Sequence, residues 1–196
     1  MTSETRERVL VERLRAPDGT PGPDIAAVAE LVNAVYAVAE DGLWRPGTTR
    51  TDADDVARSA RDGEIRIARL DGRIVGCIRI ARIDDTTAEF GMLATDPTVR
   101  GTGIGLLLVR SVETECAAAG FTTMQLEVIR PRDDTHESEQ FLDSWYRRLG
   151  YHAQRPASLD ERHPELVAAT AVPCEVVPYL KALGSLGRPE AGASGG

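Results

Sequence analysis

Three glycines lie within six residues near the middle of the chain, in the run Arg100-Gly101-Thr102-Gly103-Ile104-Gly105. A stretch with the composition of a β-strand, 88–95, precedes the run, and an apolar stretch with helical spacing, 104–119, follows it. Glycine lets the backbone approach a ligand closely and adopt positive φ angles that other residues avoid. The N-terminus of a helix adds unpaired N–H groups and the positive end of the helix dipole. The run therefore predicts a strand–loop–helix unit that holds a phosphate or pyrophosphate group.

Two common phosphate-binding loops do not fit this run. A nucleotide P-loop needs a Lys and then a Ser or Thr after its last glycine, whereas Leu106 and Leu107 follow Gly105 here. A dinucleotide-binding loop has the spacing G-x-G-x-x-G directly after its strand. Here the spacing is G-x-G-x-G, and residues 96–99 intervene. An ordinary glycine-rich turn before a helix remains as the structural alternative.

The segment 93–108 resembles the acetyl-CoA-binding motif of the GNAT superfamily of N-acetyltransferases. The core of that motif is Arg/Gln-x-x-Gly-x-Gly/Ala, and Arg100, Gly103 and Gly105 occupy its three defined positions. The upstream strand of the motif usually carries a Val where this chain has Thr95, a nearly isosteric change. The resemblance implies acetyl-CoA as a cosubstrate and no metal.

The order of predicted strands and helices agrees with this resemblance. Asp71-Gly72, between two alternating apolar segments, is a preferred two-residue hairpin turn. The strand–helix–strand order around the glycines predicts a parallel strand pair. The resemblance implies an α+β GNAT fold, with a mixed, mostly antiparallel sheet of six to seven strands, about four helices and splayed parallel central strands. It implies one domain over 1–183, and the Gly-, Ser-, Ala- and Pro-rich tail, 184–196, is expected to be disordered.

Local signals predict where several helices begin and end. Asp24 is a candidate cap for a first helix, after a turn-rich linker over 17–23. Thr51 and Asp54 resemble a capping box at the start of a second helix. Gly150 is placed to end a last helix, which carries Trp145 and other apolar residues on one face.

The resemblance also assigns cofactor-binding positions. Backbone N–H groups of the loop are expected to hold the pyrophosphate, with added charge from the Arg100 side chain. The strand before the loop is expected to pair with the pantetheine amides. The predicted cofactor-binding residues are Leu93, Ala94, Thr95, Val99, Arg100, Gly101, Thr102, Gly103, Ile104 and Gly105.

Acetyl transfer to an amine requires two proton movements. An alkylamine is mostly protonated at neutral pH, which costs roughly 4 kcal/mol, and the leaving thiolate must gain a proton. The segment 145–151 resembles a family pattern in which a Tyr, here Tyr146, donates that proton. Glu89 and Glu127 are flanked by apolar residues on predicted central strands, where burial would raise a carboxyl pKa toward that of a useful base. A structural ion pair is the alternative for each.

The acceptor is expected to bind among variable segments, 39–50, 130–139 and 156–173. Glu40, Asp41 and Trp44 follow the first predicted helix, and an acidic pair beside an aromatic ring suits a cation. The alternative is that these three residues form an ordinary solvent-exposed helix end and bind no ligand. The sequence does not identify the acceptor, which the resemblance leaves as an amine of a small molecule or a peptide.

Composition excludes several other classes of protein. The net charge of −8 at pH 7 makes nucleic acid an improbable partner. Three isolated cysteines in apolar stretches indicate core residues rather than disulfides or a zinc site. The polar first residues and the lack of a long apolar run predict a cytoplasmic protein that does not contact a membrane. The resemblance makes a homodimer an expectation.

Two interpretations of function follow. The first is an N-acetyltransferase that moves the acetyl group of acetyl-CoA to a primary amine by direct attack in a ternary complex. The second is a catalytically silent acyl-CoA-binding regulatory or interaction module. Tyr146 distinguishes them, since a module that only binds acyl-CoA has no need of a proton donor at that position.

Overall fold

Eight strands form a single mixed sheet at the centre of the structure. The computed structural model describes residues 9–16, 22–133 and 137–184, without the side chains of 137–139. The strands are β1 (Val9–Arg13), β2 (Ile65–Leu70), β3 (Arg73–Arg82), β4 (Thr87–Thr95), β5 (Thr123–Pro131), β6 (His152–Ala153), β7 (Ala157–Ser158) and β8 (Cys174–Ala182). Their order is β1-β2-β3-β4-β5-β8-β6, with β7 also paired to β8. All neighbours are antiparallel except β4 and β5.

Helices cover both faces of the sheet. On one face, α1 (Pro23–Ala39) and α2 (Ala53–Arg61) pack their apolar sides against β2 and β3. On the other face, α3 (Ile104–Ala118) and α4 (Glu137–Arg148) enclose a second, larger core. A short helix, α5 (Leu159–Arg162), follows β7. The predicted α+β GNAT fold is confirmed, and the sheet has eight strands rather than six to seven because β6 and β7 add two residues each beside β8.

The hairpin between β2 and β3 has the predicted turn. Asp71 and Gly72 have φ angles of 52° and 82°, the positive values of a type I′ turn. The backbone twist of a type I′ turn matches the right-handed twist of the two strands that it joins. The sequence analysis therefore predicted both strands and the turn, but not the register shift between Ala68 and Arg69.

The predicted cap of α1 is wrong. Gly22 occupies the N-cap position and Pro23 the first helical position, so Asp24 lies inside the first turn. The Asp24 carboxylate forms an ion pair with the Arg69 guanidinium on β2 instead. Proline at this position has its φ preset for a helix and needs no N–H partner, which explains the earlier start. Most of the linker predicted over 17–23 lies outside the described residues.

The cap of α2 is shifted by one residue from the predicted position. The Asp52 carboxylate accepts a hydrogen bond of 2.8 Å from the Asp55 backbone N–H, so Asp52 is the N-cap. Thr51 lies just before the helix, and its hydroxyl donates to the Asp52 carbonyl at 3.4 Å. Asp is at least as good a cap as Thr. The negative charge of its carboxylate is also stabilised by the positive end of the helix dipole.

A bulge in β4 separates the two parallel strands. Cys77 of β3 is opposite Ala94, but Arg79 is opposite Gly91, so β4 contains one extra residue between these pairs. Met92 lies there with a φ of 52°. Ladder pairing between β4 and β5 is limited to 87–89 with 123–125, whereas β5 pairs with β8 along its whole length. Beyond residue 89, β4 and β5 therefore separate and leave a cleft in the sheet, as predicted.

The helix after the glycine run buries the predicted side. Ile104, Leu108, Val112 and Cys116 are all buried. Leu107, also expected to be buried, is only partly covered. All three cysteines of the chain are buried, in agreement with their prediction as core residues.

Candidate active site

The glycine loop has the backbone shape that its composition predicts. Gly101 and Gly103 have φ angles of 79° and 85°, which are strained for residues with a side chain. Gly103 is the N-cap of α3 and supplies no side-chain cap. A Cβ at Gly101 would meet nothing within 4 Å, so packing does not require glycine there. The open space over the loop leaves room for a ligand to approach the backbone.

The N–H groups available to a ligand are fewer than predicted. Val99 donates to the Asp96 carbonyl at 3.0 Å, Arg100 to that of Pro97 at 3.1 Å, and Thr102 to that of Val99 at 3.2 Å. These bonds form because the chain makes a 3₁₀ turn over Pro97–Val99 before α3. In the described part of the chain, the N–H groups of 101 and 103–105 donate to no backbone carbonyl. This set of four N–H groups, the N–H cradle, is a narrower anion site than the one expected.

Asp96 holds the turn beneath the cradle, and sequence analysis did not single it out. Its carboxylate accepts from the Thr98 N–H at 2.8 Å and hydroxyl at 2.6 Å, and it forms an ion pair with Arg73. The Thr98 hydrogen bonds, followed by the Arg73 charge, lower the pKa of Asp96. The segment Asp96-Pro97-Thr98 carried the signal, because an Asp two residues before a Thr is typical of an Asx turn.

The end of β4 borders the cleft. Ala94 and Thr95 pair with Cys77 and Gly76 of β3 on one side. On the other side, the ladder to β5 has ended at residue 89. Leu93 lies within the bulge region that produces this separation. The β5-facing edge of β4 therefore has no ladder partner beyond residue 89 in the described ranges, and its pairing with the pantetheine amides stays a prediction.

Tyr146 lies on α4 in a cluster of aromatic rings. It is 7% exposed, and its ring centroid lies 5.0 Å from that of Trp145, 5.7 Å from Tyr179 and 6.2 Å from Phe90. Burial raises the pKa of Tyr146 well above that of an ordinary phenol, and the phenols of Tyr36 and Tyr179 add to the shift. The phenol is therefore protonated at neutral pH, which is the form that a proton donor requires.

Glu89 and Glu127 differ in their surroundings. Gln125 donates to Glu89 at 2.7 Å, and burial raises the pKa of Glu89 against the opposing effect of that bond. Glu127 forms an ion pair with Arg162 and accepts a hydrogen bond of 2.6 Å from His163 Nε2. Glu127 is thus bound in a structural ion pair, the alternative given for it. Sequence analysis missed both of its partners, which approach from a segment 35 residues away.

The predicted cation pocket after α1 is already filled by a cation of the protein. The Arg50 guanidinium lies 4.8 Å above the Trp44 ring and 5.1 Å above that of Tyr36. Its Nε is 3.3 Å from Glu40 Oε2, which also accepts from the Trp44 indole at 2.5 Å. Asp41 is exposed. The acidic and aromatic residues therefore hold Arg50 rather than an exogenous cation.

A cavity of about 190 Å³ lies beside this arginine. Its wall combines α1, the loop after it, and strands β3 and β4 around the bulge. The lining residues are Val32, Tyr36, Arg50, Arg79, Ala81, Glu89, Gly91 and Met92. Of the sequence-predicted residues, only Glu89 lines it, whereas Glu127 lies two residues along β5 from the Gln125 that binds Glu89.

The described residues form neither a metal-binding cluster nor a membrane-spanning helix. Within 9–16, 22–133 and 137–184, no three His, Cys, Asp or Glu side chains are grouped so that they could hold a metal ion. No helix in those ranges is long and apolar enough to cross a membrane.

Comparison with known proteins places this geometry in a family. Residues 30–151 match the model of the Acetyltransferase (GNAT) family. A curated relative, an IAA acetyltransferase of Azospirillum brasilense, is 31% identical over 115 residues, which are 55% of this chain and 74% of the relative. The match of the family model spans the glycine loop, β4, β5 and all of α4.

Solved structures show the same fold at low identity. An acetyltransferase from Streptococcus agalactiae superposes with a TM-score of 0.63 and 19% identity, over 90% of this chain and 99% of that one. A GNAT family acetyltransferase from Elizabethkingia anophelis, solved with acetyl-CoA bound, superposes with a TM-score of 0.60 and 16% identity, over 90% of this chain and 99% of that one. Since the family model covers more than half of the chain, the protein belongs to the Acetyltransferase (GNAT) family and is an acyltransferase.

Proposed function

We propose that this enzyme transfers the acetyl group of acetyl-CoA to a primary amine by direct attack in a ternary complex. The observation that carries the proposal is the N–H cradle at the start of α3, which adjoins the cleft between β4 and β5. Four N–H groups at a helix N-terminus suit a pyrophosphate. The open edge of β4 suits the amides of the pantetheine arm, so the chain's own residues fit the donor.

The chemistry needs one bond formed and one broken. The amine nitrogen attacks the thioester carbonyl carbon, a C–N bond forms and the C–S bond breaks. Glu89, or water beside it, takes the first proton of the ammonium group and so frees the nitrogen for attack. The departing sulfur takes the proton of the Tyr146 phenol, and the second proton of the attacking nitrogen returns to that phenol. Burial keeps Tyr146 protonated and makes Glu89 a stronger base than an exposed carboxylate. Placing both reactants together offsets more than the roughly 4 kcal/mol cost of amine deprotonation.

The cysteines support direct attack rather than an acetylated enzyme. All three thiols are buried. Burial raises the pKa of Cys77 to about 12 and that of Cys116 to about 11. A thiol must lose its proton to act as a nucleophile, so these two are unsuited to carry an acetyl group.

The first test is calorimetric titration with acetyl-CoA, followed by a screen of amines for thiol release. We expect binding at micromolar concentration and release that depends on the amine. Binding without release by any amine would favour the silent acyl-CoA-binding module. Absence of binding at millimolar acetyl-CoA would remove the basis of both interpretations.

A pair of variants tests the N–H cradle itself. Gly105 lies inside the first turn of α3, and a Cβ there would make only ordinary contacts, the nearest at 3.7 Å from Thr95. Gly105→Asp and Gly105→Asn add side chains of equal size, and only the first adds a negative charge. We expect Gly105→Asp to weaken acetyl-CoA binding about 10- to 100-fold relative to Gly105→Asn, because like charges near 4 Å repel by about 1–4 kcal/mol. Equal affinities would contradict the placement of the pyrophosphate.

A further inference from the structure

The lining of the 190 Å³ cavity carries charges of both signs. Arg50 and Arg79 contribute guanidinium groups, and Glu89 contributes a carboxylate. The remaining lining is Tyr36 and small or apolar residues. Because the cavity reaches Met92 at the bulge, it adjoins the cleft in which the donor is proposed to bind.

Arg50 is fixed in place by its surroundings. The Asn33 side chain accepts from the Arg50 N–H at 2.9 Å and donates to the Thr51 carbonyl at 2.9 Å, which anchors the backbone on both sides. The Tyr36 and Trp44 rings hold the guanidinium between them. A side chain ordered in advance loses little entropy when a ligand binds.

The hydrogen-bonding capacity of Arg50 is largely unused within the protein. Its Nε is buried and makes no hydrogen bond among the described residues, although Glu40 lies at ion-pair distance. Its terminal nitrogens likewise make no side-chain hydrogen bond to any residue in the described ranges. A guanidinium is a planar fork that binds carboxylates through two parallel hydrogen bonds. Arg50 can therefore offer the fork of its terminal nitrogens to a carboxylate while its Nε faces Glu40.

Arg79 and Glu89 lie on one face of the sheet. Arg79 is opposite Gly91 in the β3–β4 ladder, and Glu89 is two residues before Gly91, so both side chains point to the same side. Arg79 donates to Glu64 at 2.7 Å and is partly exposed, so its charge is already paired at the rim. The cavity therefore presents the Arg50 guanidinium at one end and the Glu89 carboxylate at the other.

We propose that the acceptor is a zwitterion, a small molecule that carries a carboxylate as well as the amine to be acetylated. Arg50 binds the carboxylate, and Glu89 faces the ammonium group and takes its proton. Amino acids are the chemical class that fits this arrangement. The inference rests on the proposed acetyl transfer and adds the substrate class. This substrate class differs from the cationic acceptor that the acidic residues after α1 suggested. Arg50 occupies the position where that cation would bind.

The test compares each of the common amino acids with its carboxamide, at saturating acetyl-CoA, by thiol release. The two compounds have the same shape, and only the first carries the negative charge. The amine of the carboxamide is the less basic one, which favours the carboxamide in the chemical step. We expect kcat/KM to be about 10- to 100-fold higher for the preferred amino acid than for its carboxamide.

Three variants separate recognition from structure. Arg50→Gln is expected to abolish the preference for the amino acid over its carboxamide. The KM for the amino acid should rise, and kcat/KM for the carboxamide should change little. Arg50→Lys keeps a cation beside Glu40, and therefore the fold, while losing the planar fork. It is expected to keep part of the preference. Arg82→Gln removes an exposed arginine paired with Asp85 and is expected to change nothing.

The outcomes distinguish this inference from the proposed function. If Arg50→Gln and Arg50→Lys lower kcat/KM equally for the amino acid and its carboxamide, Arg50 is only structural and the inference is overturned. Acetylation of carboxamides and simple amines, without amino acids, would overturn it and leave the proposed function in place. Thiol release with none of these compounds, despite acetyl-CoA binding, would overturn both.

Discussion

Replacement of Tyr146 by Phe removes one oxygen from the aromatic cluster on α4. The ring contacts with Phe90, Trp145 and Tyr179 persist, because they involve the ring and not the hydroxyl group. A single hydrogen bond contributes about 0.5–1.5 kcal/mol to stability. We therefore expect the free energy of unfolding to change by no more than about 1.5 kcal/mol.

The expected effect on the reaction is much larger. A positioned proton donor typically contributes about 10²- to 10⁴-fold to the rate. The acetyl-transfer barrier would rise by about 3–5 kcal/mol on this basis, since each tenfold loss is about 1.4 kcal/mol. Because the pKa of Tyr146 is far above the assay range, kcat of the native enzyme should show no alkaline decline caused by this phenol.

Tyr179→Phe is the matched control. Tyr179 belongs to the same cluster and donates to Asp143 at 2.9 Å, and its pKa is raised to about 12, mainly by burial. Thiol-release kinetics and acetyl-CoA calorimetry on both variants separate turnover from binding. We expect Tyr146→Phe to lower kcat at least 100-fold with acetyl-CoA affinity unchanged, and Tyr179→Phe to lower it less than about threefold. A Tyr146→Phe enzyme within twofold of native kcat would refute the role of the phenol.

Three other perturbations have defined outcomes. The kcat/KM of the native enzyme should decline at acidic pH with a midpoint above the pKa of an ordinary glutamic acid, because only the ionised Glu89 carboxylate accepts a proton. Glu89→Gln should remove this acidic decline. Lys181→Met should destabilise the fold by about 3–5 kcal/mol in urea denaturation, because Glu113, 6% exposed, would lose the ammonium 2.7 Å away. Gly76→Ala should cost about 1–3 kcal/mol, since the added Cβ would lie 3.0 Å from a leucine methyl of α3, whereas Gly91→Ala meets nothing within 4 Å and should not destabilise the fold.

Sequence analysis predicted the features that depend on local residues. The Asp71-Gly72 turn determined the hairpin, and the glycines of the loop have the positive φ angles that their composition indicated. The start of α3 and the parallel pairing of β4 with β5 followed from the order of elements. The turn, the loop and the helix start depend on residues close in sequence, whereas the parallel pairing follows from the strand–helix–strand connection.

The charged partners could not be predicted in the same way. Glu127 meets Arg162 and His163 only because the chain after β7 folds back over the sheet. The position of Arg50 above Trp44 depends on a loop conformation that has no short-range signature. Each of these side chains had several opposite charges or rings at comparable separation in sequence. Only the tertiary fold selects among them.

The loop that carries Trp44 is attached to the segment before β8 by its backbone. Arg45 donates to the Ala169 carbonyl at 2.9 Å, and Ala171 donates to that of Leu43 at 2.9 Å, so that Trp44 and Thr170 form a β-bridge. Two stretches more than 120 residues apart thus support Trp44, against which Arg50 of the proposed acceptor cavity packs. Grafting one of them alone from a relative with a different loop length or backbone path would break these bonds. An exchange of acceptor specificity by recombination must therefore transfer both stretches together.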